Sequence, residues 1–335
     1  MIITRTPYRI SLFGGGSDHP AWFKEHGGKV ISFTIDKYCY LTARILPPFF
    51  EHNYRIAYSI VEMVKNFNDI RHPVIRESIR KYAPNSMLEI HHHGDLPARS
   101  GVGSSSAFTV GVIHALLELQ NQPVTSRVLA DLSIEMEQEI LKENVGWQDQ
   151  IACAVGGLNY LEFTKDRTWK KEALETSKDY RNALESRLVL VYTGISRNSS
   201  DVSLGLLRNL PTKIFEMNEL MSFVDICHEH LKKNLNLDII GELLDESWKL
   251  KKLINDQSTT PELDQVYSEG KKAGAIGGKV IGAGGGGFFL FWLREGKAEE
   301  FKERFTKGTL VPVRLSFGGS KVVYNPKYMN SQDSL

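Results

Sequence analysis

The sequence is short of the features that mark several protein classes. It has three cysteines, Cys39, Cys153 and Cys227, scattered and with no Cys-x-x-Cys pair. So sparse and odd a set excludes a disulfide framework, and each thiol is expected as a small buried hydrophobe. No apolar run approaches the roughly 20 residues that a membrane helix needs. The 41 Lys and Arg nearly balance the 40 Asp and Glu, for a formal net charge of +1. That leaves no basic excess for nucleic acid or for an acidic membrane surface. The opening "MIITRTPYRISLFGGG" lacks the basic start, apolar stretch and cleavage site of a signal peptide and enters a strand-like run at once. The cytoplasm is the expected compartment. There is no internal repeat and no long linker, and nothing in the residues fixes an oligomeric state.

What is present is an ordinary globular composition. Of the 335 residues, 41% are apolar and 24% charged, enough for a sizeable core. At roughly 100–200 residues per domain the length suggests about two domains. Residues 2–13 alternate and are β-rich, and "KVISFTIDKYCYLTARIL" (29–46) reads as long β structure. "SSAFTVGVIHALLELQ" carries a helical stripe at Val110, Ile113, Leu116 and Leu117, and "TSRVLADLSIEMEQEILKE" another at Leu129, Leu132, Met136 and Ile140. A second block starts near Ser186 with the strand "SRLVLVYTG", continues through three helices and "GKVIGAGGGGFFLFWL", and closes on a final strand, "LVPVRLSF". Strands and helices alternate in both halves, which predicts an α+β protein of two lobes, residues 1–185 and 186–325, with a polar tail at 326–335.

Three segments share one physical signature. "FGGGSD" (13–18), "SGVGSSSA" (100–107) and "GAGGGGFF" (282–289) each set glycines beside a predicted strand. Glycine lets backbone N–H groups approach a ligand closely. The middle segment leads glycines from a strand into serines that open a helix. A helix start presents unpaired N–H groups and a partial positive charge, which suits a phosphate. Ser104 and Ser105 can instead cap that helix, and a serine hydroxyl there can also ligate a magnesium ion that bridges phosphates. The loop has no Gly-Lys-Ser/Thr, so it is not a P-loop. It lacks the third glycine and the later acidic residue of the dinucleotide fingerprint. A different phosphate-binding class is required.

Here the sequence resembles the GHMP kinases. Their central loop has the form Pro-x-x-x-Gly-Leu-x-Ser-Ser-Ala. The chain offers Pro97, Gly101, Val102, Gly103, Ser104 and Ser105, with Ser106 in the alanine position. "TPYRISLFGGGSD" is similar to the first family motif and "KVIGAGGGGFF", with Gly282, Gly284, Gly285, Gly286 and Gly287, to the third. The matches run in order over nearly the whole chain. The resemblance implies a ribosomal-protein-like first lobe, a ferredoxin-like second lobe, and ATP and a small molecule meeting between them.

It also implies roles. Asp149, in the "GWQDQ" loop, stands where the family's aspartate faces the substrate hydroxyl. At a usual pKa near 3.9 an aspartate is a weak base, so orienting the hydroxyl can matter more than taking its proton. Arg9 occupies the family's Arg or Lys position beside that aspartate. Glu137 stands twelve residues before Asp149, the spacing of galactokinase-like members, and with Ser105 would hold magnesium. Helical periodicity alone does not separate Glu137 from Glu139. Gly14, Gly15, Gly16, Ser17 and Asp18 form the sugar loop, with Gly15 and Gly16 replacing the Glu-His of galactokinase and leaving room for a larger sugar.

"RISLFGGGSDHP", "HHHGDLPARSGVGSSSAF", "ENVGWQDQ" and "YTGISRNSS" together resemble the D-glycero-D-manno-heptose 7-phosphate kinase branch. Those enzymes phosphorylate the anomeric hydroxyl to the 1,7-bisphosphate, toward nucleotide-activated heptose for surface polysaccharide. A sugar that already carries a phosphate needs a cationic cradle, for which Arg197 is the candidate. The alternatives are a kinase of another sugar, such as fucose or arabinose, and a silent sugar sensor of the same fold. The joint presence of Arg9, Ser105, Glu137 and Asp149 speaks against the sensor. The run His91, His92, His93 is not a metal site, because consecutive strand residues face opposite sides. Trp147 is expected either to pack on the sugar or to fill the core.

Overall fold

The computed structural model describes residues 1–195 and 199–329. Strand β1 (Ile2–Phe13) runs antiparallel to β2 (Gly28–Ile45), with the short helix α1 (Pro20–His26) between them. β3 (Tyr54–Ala57) and β4 (Val61–Val64) form a hairpin, helix α2 (Pro73–Tyr82) follows, and β5 (Leu88–Gly94) lies between β2 and β3. Next come three helices, α3 (Ser104–Leu119), α4 (Ser126–Ile134) and α5 (Gln148–Val155). The hairpin β6 (Leu158–Phe163) and β7 (Trp169–Ala173) then joins the free half of β2. An 18-residue strand can serve two neighbours: residues 28–33 of β2 pair with β6 and residues 39–45 with β5.

The register of β1 and β2 is broken where the site is built. Pro7 lies opposite Tyr38, but Arg9 lies opposite Thr34. Proline has no N–H to give the ladder, and an irregular register re-aims the residues beside it. The Arg9 N–H leaves the sheet and donates to Val102 O at 3.0 Å, tying β1 to the glycine–serine loop. Helix α3 lies across β1 and β2. Its residues 106–113 and 115–118 are all buried, so it reads as apolar almost all round rather than as a striped surface helix.

After α6 (Lys178–Glu185) the chain builds a second, four-stranded sheet from β8 (Leu188–Tyr192), β9 (Ala275–Val280), β10 (Phe288–Leu293) and β11 (Thr309–Val311), in the order β11-β8-β10-β9. Helices α7 (Ser199–Asn209), α8 (Ile214–Lys232), α9 (Asp238–Ile254), α10 (Pro261–Lys272) and α11 (Ala298–Arg304) accompany it. All six residues of β10, "FFLFWL", are buried because both faces are covered. Phe288, Leu290 and Trp292 join the large core that continues into the first lobe, while Phe289, Phe291 and Leu293 pack with Trp248 and Phe301 in a smaller one.

The second sheet opens at Leu188, next to the expected boundary at 186, but the expected extent of the second lobe to 325 does not follow the sheets. The single strand expected in "LVPVRLSF" is two strands in two sheets. β11 pairs with β8, whereas β12 (Leu315–Ser316) pairs with β2 of the first sheet, with Pro312 between them. β13 (Lys321–Tyr324) then pairs with β1, so residues 315–324 belong to the first lobe. Where a polar tail was expected, Pro326–Met329 form a last helical turn, α12. Cys39, Cys153 and Cys227 are free and buried. Among the described residues, no helix is long and apolar enough to cross a membrane.

Candidate active site

The re-aimed Arg9 is the hub of the site. It is 3% exposed. Its Nε donates to Asp149 Oδ1 at 2.7 Å and its Nη2 to Asp149 Oδ2 at 2.6 Å, a two-pronged fork. Its Nη1 donates to Gly101 O at 2.6 Å. One guanidinium therefore joins the expected catalytic aspartate to the expected phosphate loop. Burial works against the arginine's charge, but Asp149 beside it more than offsets this and keeps it protonated. Asp149 does not sit in a loop, as the sequence suggested. It is the second residue of α5, so its carboxylate lies at a helix start, where negative charge is favoured.

The glycine–serine loop meets α3 at Gly103, which holds the N-cap position with φ 71° and gives no side-chain cap. Ser104 and Ser105 do not cap the helix. Ser104 Oγ accepts from Arg99 N at 3.2 Å, and Ser105 is exposed. The first N–H groups of a 16-residue helix are thus left without a side-chain acceptor. Ser100 Oγ donates to Pro97 O at 2.6 Å and closes the turn that precedes them. Val102 is fully buried and anchors the loop in the core.

Glu137 has the environment of a reserved ligand. It lies on a π-helical turn, residues 135–140, that extends α4, where a regular helix was expected. Such turns often mark functional positions. Glu137 is fully buried, whereas Glu139 is exposed and paired with Arg167, so folding separates two glutamates that periodicity could not. Glu137 Oε2 accepts from Ser106 Oγ at 2.9 Å and from Gln150 Nε2, while Oε1 is buried without a well-formed hydrogen bond, the Thr109 hydroxyl near the carboxyl donating instead to Ser105 O at 3.2 Å. Burial pushes its pKa up to about 8. A buried, half-satisfied carboxyl of this kind fits a divalent cation, which would supply the missing partner. Ser106, not Ser105, is the hydroxyl in contact with Glu137.

The first glycine turn stands across from Asp149. Asp18 is 3% exposed, and its carboxylate accepts from Gly16 N at 2.9 Å and Gln148 N at 3.2 Å. Burial, followed by the nearby Asp149 charge, raises its pKa. Asp18 thereby locks the glycine turn to the start of α5. Ser17, expected to meet sugar, is fully buried with its hydroxyl bonded to Gly14 O at 2.8 Å and Lys29 O at 2.9 Å. That is a correction: it staples the turn and has nothing left to offer a ligand. Gly14 and Gly16 are buried, and Gly15 is exposed. Trp147 donates to Gln138 Oε1 at 2.7 Å and packs 4.7 Å from Phe23, which makes it core.

The third glycine segment backs the second. Gly101 and Gly282 approach so closely that a Cβ on Gly282 would lie 2.6 Å from Gly101 Cα. Phe288 N donates to Ser100 O at 3.1 Å, Gly287 N to Ile195 O at 2.8 Å and Gly285 N to Ser258 O at 2.8 Å. Gly284 rests on Ser258 and Gly286 on Ile195. These glycines hold the two lobes together behind the phosphate loop. Arg197 lies outside the described residues. His91 bonds Glu89 and Arg55, and His92 packs on Phe108. The Gln150 and Ser106 contacts with Glu137 are not legible in the sequence, although Gln150 stands inside the "GWQDQ" segment. Nor does the sequence single out the lysines Lys251 and Lys279.

Known proteins are similar to this chain over nearly its whole length. The GHMP kinases N terminal domain matches residues 64–157 and the GHMP kinases C terminal domain residues 229–309. A D-glycero-alpha-D-manno-heptose 7-phosphate kinase of Campylobacter jejuni is 30% identical over 309 residues, covering 87% of this chain and 89% of that protein. A galactokinase of Pyrococcus furiosus is 25% identical, covering 89% of this chain and 90% of its own length. The crystal structure of a D-glycero-D-manno-heptose 1-phosphate kinase from Bacteroides thetaiotaomicron has the same fold, with a TM-score of 0.79 and 24% identity over 97% of this chain and all of that one. With family models over both lobes and a relative of 30% identity along nearly its whole length, the chain belongs to the GHMP kinases, which take phosphate from ATP.

Proposed function

We propose that this chain is a sugar kinase that transfers the γ-phosphoryl group of ATP to the anomeric hydroxyl of D-glycero-D-manno-heptose 7-phosphate, giving the 1,7-bisphosphate and ADP in the cytoplasm. The Campylobacter relative supports the substrate. The observation that carries the chemistry is the fork between Arg9 and Asp149 beside the uncapped start of α3.

In this reading Asp149 orients the acceptor hydroxyl. The new bond forms between its oxygen and the γ-phosphorus as the bond from phosphorus to the β–γ bridging oxygen breaks. The hydroxyl proton passes to the carboxylate late, since a loose transition state asks for little early proton transfer. Arg9 holds Asp149 in place through the two-pronged fork, and its charge faces the phosphoryl group as it moves. The open N–H groups of Ser104, Ser105 and Ser106 hold the ATP phosphates together with the 97–103 loop. Glu137 and the exposed Ser105 hydroxyl would hold a magnesium ion, which when bound neutralises phosphate charge. Gly15, open to solvent beside the turn, leaves room for the sugar, and Asp18 keeps that turn in register with Asp149.

The test is a kinase assay over heptose 7-phosphate, heptose 1-phosphate, free heptose, fucose and galactose. Turnover of heptose 7-phosphate well above the rest supports the reading. Preference for a free sugar or for the 1-phosphate contradicts it.

A further inference from the structure

Lys279, on β9 ahead of the third glycine turn, has no part in the roles above. It is 6% exposed. Its ammonium lies 5.8 Å from the centre of the Phe13 ring, and no carboxylate, hydroxyl or carbonyl of the described residues is bonded to it. A buried lysine is ordinarily paired, because an uncompensated charge away from water is costly.

The groups that face it supply no ionised counter-charge. Arg9 of β1 repels it, Lys251 of α9 is itself pushed toward its neutral form by burial and by Lys279 and Arg9, and Cys227 of α8 is a thiol that burial keeps protonated. Lys251 gives its own ammonium to Val280 O at 3.0 Å and Gly282 O at 2.6 Å, in the strand and turn that follow Lys279. Asp149 is taken up by Arg9 and does not bear on Lys279. Burial, then repulsion from Arg9, brings the lysine's pKa down to about 7. Lys279 and Lys251 thus stand near Arg9, and the carboxylates that act on Arg9 are already engaged, Asp149 by Arg9 itself and Asp18 by the Gly16 and Gln148 N–H groups.

The location gives this imbalance a use. Phe13, under the ammonium, is the last residue before the Gly14–Asp18 turn, and β9 runs straight into the glycines that back Gly101. Lys279 therefore stands where the sugar-side turn and the backing of the phosphate loop meet.

We propose that Lys279, flanked by Lys251, is a phosphate-binding element between the lobes, and that a reactant's phosphate supplies the negative charge the protein leaves out. This rests on the kinase reading. With a phosphorylated sugar as acceptor, the phosphate is the one the acceptor already carries.

The test compares the intact enzyme with Lys279→Met and Lys279→Arg. Three quantities are measured: the melting temperature without ligand, the affinity for inorganic phosphate by calorimetry, and KM for ATP and for the sugar phosphate. The expected result for Lys279→Met is weaker phosphate binding and a rise of about tenfold or more in KM for the sugar phosphate, the loss of a charge-assisted contact. KM for ATP stays within about twofold, and Lys279→Arg recovers most of the loss. The ligand-free Lys279→Met protein melts no lower than the wild type, since an unpaired buried charge has been removed. A rise confined to KM for ATP supports the phosphate site and assigns it to the donor. Unchanged phosphate affinity and unchanged KM values, or a ligand-free protein that melts lower, make the lysine structural and overturn the proposal. If the wild type turns over no sugar phosphate, the substrate reading fails, while the calorimetric comparison still decides the site.

Discussion

Arg9 and Asp149, 140 residues apart in sequence, meet through two parallel hydrogen bonds of 2.7 and 2.6 Å. The fork ties the strand irregularity after Pro7 to the first turn of α5. Asp149→Asn keeps the shape and removes the charge. It should lower kcat by about 10²–10⁴, the usual worth of a positioned acid–base group, while ATP binds nearly as before. It should also cost about 1–3 kcal/mol of stability, because the buried guanidinium loses its counter-charge. Steady-state kinetics, ATP calorimetry and denaturant unfolding read the three effects. Near-normal turnover removes Asp149 from its role.

Gly103 guards the same arginine. A methyl group there would lie 3.0 Å from Arg9 Cγ and 3.5 Å from Nε, on a backbone with φ 71°. Gly103→Ala should destabilise by about 1–3 kcal/mol through that strained backbone and depress kcat by shifting Arg9. Gly15 is the control, since its φ is not positive and a methyl would make ordinary contacts at 3.5 Å with Gln148 Nε2 and 3.6 Å with Ser11 Oγ. Gly15→Ala should fold with wild-type stability and alter the preference among sugars. Equal thermal shifts for the two variants would contradict this.

Glu137→Gln tests the cation. At pH 7 a carboxyl with a pKa about 8 is mostly protonated, so glutamine resembles it in the metal-free protein. Stability should hardly change, while the magnesium concentration for half-maximal rate should rise by about 10–100-fold. Removing the cation with a chelator should stop the wild type. Ser105→Ala should likewise raise the magnesium requirement. Ser106→Ala should instead cost about 1 kcal/mol of stability through its bond to Glu137. Melting curves and magnesium titrations separate the two serines.

The fold class and the order of the three glycine segments were legible because they rest on local chemistry: strand patterns, glycines, a helix opened by serines. Glu137 was legible only through resemblance, since its distinction from Glu139 comes from a π-helical turn that no 3.6-residue period announces. The far end of the second lobe was misplaced because strand partners are non-local; nothing in "LVPVRLSF" says that its halves enter different sheets. Ser17 looked like a ligand in sequence because a hydroxyl gives no sign that backbone carbonyls will claim it. Lys279 was missed for the same reason, as its significance lies in the partners it lacks.

Lys279 also predicts a pH dependence. Its pKa falls from the usual 10.5 in the unfolded chain to about 7 in the fold. Below about pH 7 both states bind the proton and the full cost of the buried charge is present. As pH rises from about 7 toward 10.5, the folded lysine is already neutral while the unfolded one still holds its proton, so folding releases a proton and the native state gains stability with pH until the cost is gone. Arg9, Lys251 and Cys227 face it throughout and do not reverse the sign. The advantage in melting temperature of Lys279→Met over wild type should be largest near pH 6.5 and shrink toward pH 10. An advantage that grows with pH would contradict the assignment.

The most direct test is to incubate the enzyme with ATP, magnesium and heptose 7-phosphate and to locate the new phosphate by phosphorus NMR coupling. A second phosphate on the anomeric carbon, formed faster than any product from unphosphorylated sugars and absent with Asp149→Asn, is the result expected. A product phosphorylated elsewhere, or formed equally well by the Asp149→Asn enzyme, would contradict the account.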